Sequence, residues 1–358
     1  MGEKIPINKG NYDMETPERL ARFEEYRALG WEAGYRAYRR NWVEYAKNQY
    51  VSEYPLLVDI ELSTVCNLHC PMCYTITEDF KKSVRRQFMS MELFHKIVDE
   101  IGGKVPAVRL SLRGEPTLHP DFVSCIRACK ERGIGEVSFL TNASTLTKDR
   151  FIEFAEAGAD WITVSIDGIG ETYESIRRPL RFADTLKRLQ DIHEVKAQRG
   201  WKRPVIKIQS IWPAIQADPS AFYNTYAPYV DLVAFNPLIS GYSSHENSGV
   251  VYLEDFSCPQ LYQRLVIGAG GRVLLCANDE EGRRVLGDMN QQSVYEIWHG
   301  EPIETIRALH RKNAFREVDV CRDCYLPRET EDEYAFVNGR KIVVKNYVSR
   351  EEPQGAPD

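Results

Sequence analysis

From Pro55 onward, short β-branched runs alternate with amphipathic stretches, and this alternation restricts the chain more than any other feature. Each run is too short for a helix and is followed by a segment long enough to cross over, which is the pattern of repeated βα units on a parallel sheet. The predicted strands are 56–63 (LLVDIELS), 107–112 (AVRLSL), 136–142 (EVSFLTN), 161–167 (WITVSID), 205–211 (VIKIQSI) and 232–238 (LVAFNPL). Helices are predicted between them at 91–101, 121–133, 149–158 and 182–198. Six strands with five crossovers predict an α/β fold, a partial (β/α)6 TIM-like barrel rather than a closed eightfold one. Reactive residues in such folds stand where strands end and loops begin. Four unusual loops lie there: a cysteine loop after the first strand, RGEP (113–116) after the second, TNAS (141–144) after the third and SIDG (165–168) after the fourth.

The rest of the chain divides around this barrel, placed at 53–245. Residues 1–52 are predicted to form an N-terminal helical extension, because 17–50 keeps apolar residues at helical spacing and nothing there resembles a strand. Residues 246–335 change texture to short strands, glycine turns and four more cysteines, and 336–358 are predicted to be a C-terminal tail ending in the disorder-prone SREEPQGAPD. A net charge of −6 argues against nucleic-acid or anionic-membrane partners, which select clustered Lys and Arg. The sequence has neither an apolar run of about 18 residues nor a signal-peptide pattern. A cytoplasmic protein is expected, with its nine cysteines serving metals or catalysis rather than disulfides.

Cys66, Cys70 and Cys73 fall in one loop, and the next cysteine, Cys125, is on a predicted helix. A structural zinc site closes with four ligands, so a triplet that stops at three is a poor zinc site. Three thiolates on a four-iron cluster instead leave one iron open to a ligand from outside the protein. Cys125 and Cys129 share one helix face and read as buried packing residues, and His69 as a surface or supporting residue.

With these loops in view, the chain resembles the radical S-adenosylmethionine (SAM) superfamily, whose CxxxCxxC loop is matched by Cys66, Cys70 and Cys73. RGEP resembles the family's GGEP stretch, with Arg113 in place of the first glycine, which implies SAM contacts at Gly114, Glu115 and Pro116. SIDG resembles the motif whose Ser and Asp lie near the ribose and carboxylate of SAM, which places Ser165 and Asp167 there, with Arg177 near the same carboxylate. Met72 stands where members often carry an aromatic residue beside adenine, and Asn142 of the TNAS loop is counted with it among the expected SAM contacts. Gln209 points inward by strand alternation, either to SAM and substrate or as a satisfied interior group. Asp167 and Glu115 are further candidates for accepting a proton from the substrate, or else for orienting SAM.

Cys258, Cys276, Cys321 and Cys324, with Gly271 before Cys276 and a closing CRDC, resemble the SPASM/twitch extension of the same superfamily. No cysteine follows Cys324, so the shorter twitch form with one fully ligated auxiliary cluster is the better match. The resemblance implies two 4Fe-4S clusters, SAM, a 5'-deoxyadenosyl radical and a one-electron donor such as flavodoxin or ferredoxin. The expected function is dehydrogenation of a small sugar or aminocyclitol-like molecule, with the auxiliary cluster taking an electron. Epimerisation of a sugar or peptide, maturation of a ribosomal peptide, and a non-catalytic metal-binding module are the alternatives. Epimerisation needs a hydrogen donor, usually a cysteine, and the well-placed cysteines look committed to clusters. Peptide maturases often carry a larger N-terminal recognition domain than the short helical segment here.

Overall fold

The computed structural model describes residues 12–236 and 251–347. The last two residues of the predicted strand 232–238, the boundary placed at 245–246 and the tail end 349–358 lie outside the described residues. One sheet of ten strands organises the molecule: β1 (Tyr12–Asp13), β2 (Leu57–Ile60), β3 (Ala107–Arg109), β4 (Glu136–Thr141), β5 (Trp161–Ser165), β6 (Val205–Ile211), β7 (Leu232–Asn236), β8 (Arg264–Ile267), β9 (Arg272–Leu274) and β10 (Val285–Asp288). Its order is β1-β7-β6-β5-β4-β3-β2-β8-β9-β10. The six predicted strands are β2 to β7, all parallel and in sequence order, as consecutive βα units require. Among the described residues β1 and β10 are the edges of this sheet.

Strand alternation assigns the two faces. Val58, Ile60, Val108, Leu110, Val137, Phe139, Ile162, Val164, Ile206 and Ile208 are at most 1% exposed and belong to the main core. Helices cover this face; Phe139 meets Phe122 and Phe154 edge-on at centroid distances of 4.8 and 5.4 Å. Helix Met91–Ile101 starts at Ser90, whose hydroxyl accepts the Leu93 amide, and buries Phe94, Ile97, Val98 and Ile101 at helical spacing. The intervening strand residues face the opposite, inner side.

Helices Pro17–Ala28 and Glu32–Lys47 seal the end of the sheet where strands begin. Phe23 packs on Val205, Leu232 and Ala234, while Tyr35 and Tyr38 pack on Leu56, Leu57 and Ala107. Between them Arg27 donates twice to Glu136, at 2.9 and 3.0 Å, and lies 4.3 Å over the Trp161 ring. Both charges are almost fully buried. Arg27→Met is therefore expected to strand the Glu136 carboxylate and to cost about 3–5 kcal/mol in urea unfolding. Loss below 1 kcal/mol would show the plug to be dispensable.

The cysteine-bearing C-terminal segment continues the same sheet: β8 pairs parallel with β2, and β9 and β10 follow antiparallel. Two expectations need correction. The N-terminal segment does contain a strand, since Tyr12 and Asp13 pair antiparallel with Phe235 and Ala234. Residues 336–347, expected in a tail, lie in the hairpin of β11 (Thr330–Val337) and β12 (Arg340–Tyr347). That hairpin reaches back to the barrel edge, where Asn338 bonds Ser220 and Asn224.

Candidate active site

The loop after β2 is fixed before its cysteines begin. Thr64 accepts the Gln87 amide at 2.8 Å and donates to Arg85 O at 2.8 Å, while Met89 N bonds Leu62 O at 3.0 Å. The RGEP stretch locks the other side: Gly114 N donates to Ser63 O (3.2 Å) and Glu115 N to Val65 O (2.8 Å). A Cβ on residue 114 would sit 2.5 Å from Ser63 O and 2.6 Å from Val65 O, so only glycine allows this approach.

Within the loop Cys73 N bonds Cys70 O at 2.9 Å, with Met72 half-buried in the turn between them and His69 exposed. Asn142 reaches Cys66 Sγ at 3.8 Å and Asn67 Oδ1 at 2.9 Å, so TNAS braces the first cysteine. Arg177 reaches Cys70 Sγ at 3.8 Å. The three sulfurs lie within electrostatic range of one another; burial pushes the Cys66 and Cys70 thiols up, with the other cysteines adding to the rise. A bound cation offsets that repulsion, so the set fits a metal cluster.

Both expected proton acceptors, Asp167 and Glu115, are engaged by donors from other segments. Asp167 is fully buried, pairs with Arg177 at 2.6 Å and accepts the Ile211 amide at 3.0 Å. Glu115, 2% exposed, accepts from Thr117 Oγ1 (2.6 Å), Thr141 Oγ1 (2.7 Å), Asn142 N (2.6 Å) and Thr117 N (3.3 Å). Burial raises its pKa and these bonds oppose the rise. Both carboxylates tie neighbouring strand ends together; Pro116 starts the short turn after Glu115 and is buried. Gln209 and Ser165 are register partners on the inner face, and Gln209 Nε2 is buried without a hydrogen-bond partner among the described residues. An unpaired buried amide donor fits a ligand that brings an acceptor.

The second cysteine set forms around the C-terminal turn. Cys258 precedes the turn at 259–262, Cys276 follows β9, and Cys321 and Cys324 lie on and after helix Asp319–Arg322. Their sulfurs lie within electrostatic range of each other, walled by Phe256, Phe315, Tyr325 and Leu326. Burial, reinforced by the Cys324 sulfur, pushes Cys276 up to about 12, and Leu326 N donates to Cys324 Sγ at 3.4 Å. Among the described residues no three His, Cys, Asp or Glu side chains could hold a single metal ion, whereas a cluster presents several irons to a wider set of thiolates.

Sequence reasoning missed the link between the two sets. Arg113 donates to both oxygens of Glu61, at 2.6 and 2.5 Å, and to Glu280 O at 3.2 Å, while Glu61 also accepts the Ala269 amide. Arg113 and Glu61 are 6% and 0% exposed. The signal was present: an Arg in place of glycine at a strand end needs a carboxylate, and Glu61 lies in the last three residues of the neighbouring predicted strand.

Comparison with known proteins agrees with this geometry. A family model described as the Radical SAM superfamily matches residues 60–206, and one described as SPASM, an iron-sulfur cluster-binding domain, matches 258–325. The tungsten-containing aldehyde ferredoxin oxidoreductase cofactor-modifying protein of Pyrococcus furiosus is 27% identical over 156 residues, 42% of each chain. Pre-heme d1 synthase of Dinoroseobacter shibae is 33% identical over 118 residues, 32% of this chain and 28% of that protein. The chain thus spans less than half the length of these relatives. Among solved structures, BtrN with AdoMet and 2-DOIA superposes with a TM-score of 0.52 at 14% identity, covering 75% of this chain and 92% of that one. SuiB of Streptococcus suis bound to S-adenosylmethionine gives 0.54 at 16%, covering 75% and 72%. These two likenesses show the fold alone.

Proposed function

Since the chain belongs to the radical SAM superfamily and ends in a SPASM iron-sulfur domain, we propose that it is an oxidoreductase removing hydrogen from carbon of a small, sugar-like molecule. A chain with both domains is an enzyme holding a SAM-binding 4Fe-4S cluster and an auxiliary cluster, and it needs a substrate and an electron donor. When bound, these cofactors supply one-electron cleavage of SAM and a hydrogen-abstracting radical. The chain supplies the rest. Cys66, Cys70 and Cys73 hold the first cluster. Arg177, fixed by Asp167, faces the SAM carboxylate; Ser165, Gln209 and the backbone of Met72, Gly114, Glu115 and Pro116 orient the remainder. Asn142 steadies the cysteine loop.

The observation that carries dehydrogenation is the second set of four thiols, Cys258, Cys276, Cys321 and Cys324. Four thiolates saturate an auxiliary cluster, which suits it to accept an electron rather than to bind substrate. The Glu61–Arg113–Glu280 link supports a fixed path between the two sets. Epimerisation is disfavoured because the remaining cysteines, Cys125 and Cys129, are fully buried and cannot meet a substrate radical. No helix among the described residues is long and apolar enough to cross a membrane. A reducing cytoplasm, where thiols stay available to clusters, with flavodoxin or ferredoxin as donor, belongs to the same reading.

Anaerobic reconstitution is expected to give about eight irons per chain. With dithionite the protein should release 5'-deoxyadenosine, and a deuterated substrate should transfer label into it. A substrate recovered with the same oxidation level and inverted stereochemistry would overturn dehydrogenation.

A further inference from the structure

The last turn of helix Glu301–Arg311 carries a histidine into the wall of the second cysteine set. His310 is 2% exposed, and its ring lies 6.0 Å from that of Phe256 and 5.9 Å from that of Phe315. Both phenylalanines belong to the hydrophobic cluster against which Cys258, Cys321 and Cys324 pack. Packing alone does not account for an imidazole here. Its Nδ1 accepts the backbone N–H of Cys258 at 3.2 Å, and three residues further on Asn313 Oδ1 accepts the N–H of Phe256 at 3.3 Å. Two side chains at the helix end thus take up two amides of the segment that delivers Cys258.

The first of these bonds fixes the ring's proton. With Nδ1 accepting, the neutral imidazole carries its hydrogen on Nε2, which is buried without a partner among the described residues. Ligating iron through Nε2 would move that hydrogen to Nδ1, where it would meet the Cys258 N–H. His310 is therefore not a further ligand, and its hold on the site runs through the Cys258 amide. Hydrogen bonds to the sulfurs of an iron-sulfur cluster help to set its potential, and they favour the reduced form because that form carries more negative charge. Cys324 Sγ receives donors of this kind, from Leu326 N at 3.4 Å and from Asn278 Nδ2 at 4.0 Å. The Cys258 amide is turned to the histidine instead.

We infer that His310 is a positioning residue that keeps the auxiliary cluster at a low potential, by holding the Cys258 N–H away from the cluster's sulfurs. A cluster held lower passes on an accepted electron more readily, which suits a relay that has to be emptied in each turnover. The inference rests on the presence of the auxiliary cluster and not on which substrate is oxidised.

The test is a reductive titration of the anaerobically reconstituted full chain with titanium(III) citrate, followed by EPR. The signal that survives replacement of Cys66, Cys70 and Cys73 by Ala is assigned to the auxiliary cluster. His310→Phe keeps a flat ring between Phe256 and Phe315 and removes the acceptor, so the freed amide turns to a sulfur or admits water, and either one gives the cluster a donor. The auxiliary potential is expected to rise by about 59 mV, a tenfold change in a one-electron equilibrium and the worth of about one hydrogen bond to a charged acceptor, while the other cluster keeps its potential. His310→Asn places an oxygen acceptor where Nδ1 stood and should bring the auxiliary potential back to the wild-type value. If the Phe variant does not fold, His310→Leu takes its place with the same expectation. An unchanged or lowered potential in the variant without an acceptor overturns the inference, as does an Asn variant shifted as far as the Phe variant. Iron content of the same samples tests the underlying reading separately, since about four irons in the wild-type chain instead of about eight would remove the auxiliary cluster itself.

Discussion

Replacing Cys66, Cys70 and Cys73 together by Ala is expected to lower the iron content from about eight to about four per chain and to abolish 5'-deoxyadenosine release. The two effects separate because the cysteine sets occupy different supports. The first set is held by the 85–89 segment, by Gly114 and Glu115, and by Asn142. The second is walled by Phe256, Phe315, Tyr325 and Leu326, a hydrophobic cluster separate from the main core. Its own four thiols therefore remain able to take up iron in the variant. Arg177 loses only its Cys70 contact and keeps Asp167, so no buried charge is stranded and the variant should fold. Mössbauer spectra and acid-labile sulfide, measured beside the SAM-cleavage assay, check this. Retention of the full iron complement would mean that the triplet is not a cluster site, and residual cleavage of SAM would mean that the reaction starts elsewhere.

How much of this was legible in the sequence depends on the range of each interaction. The six parallel strands and their helices are local patterns of period two and 3.6, and they were readable to within a few residues. Their ends were overextended for a local reason: Leu62 keeps the apolar alternation of β2, but Glu61 turns to Arg113 and Ser63 into the loop. The partner of β8 was not readable, because nothing in RLVI says that it will lie against LVDI two hundred residues earlier. The partners of the acids were not readable for the same reason. Asp167 and Glu115 announce chemistry at strand ends, but the donors that occupy them come from Arg177, Ile211, Thr141 and Asn142 on other segments.

Replacing Cys321 and Cys324 by Ala should have the opposite profile: about four irons lost, 5'-deoxyadenosine still released, and oxidised product absent. Both residues lie on or after the four-residue helix Asp319–Arg322, and that segment packs against the turn at 315–317. Removing two thiols leaves Cys258 and Cys276 unable to saturate a cluster, while the Glu61–Arg113 pair that steadies the first loop is untouched. If the auxiliary cluster accepts the electron left on the substrate after hydrogen abstraction and proton loss, the variant still cleaves SAM but returns the substrate hydrogen or releases nothing. Deuterium would then enter 5'-deoxyadenosine without a matching yield of oxidised product, a split that a folding defect does not produce. Undiminished product formation by a four-iron variant would make the second cluster structural, and a redox-neutral radical reaction would then account better for the site.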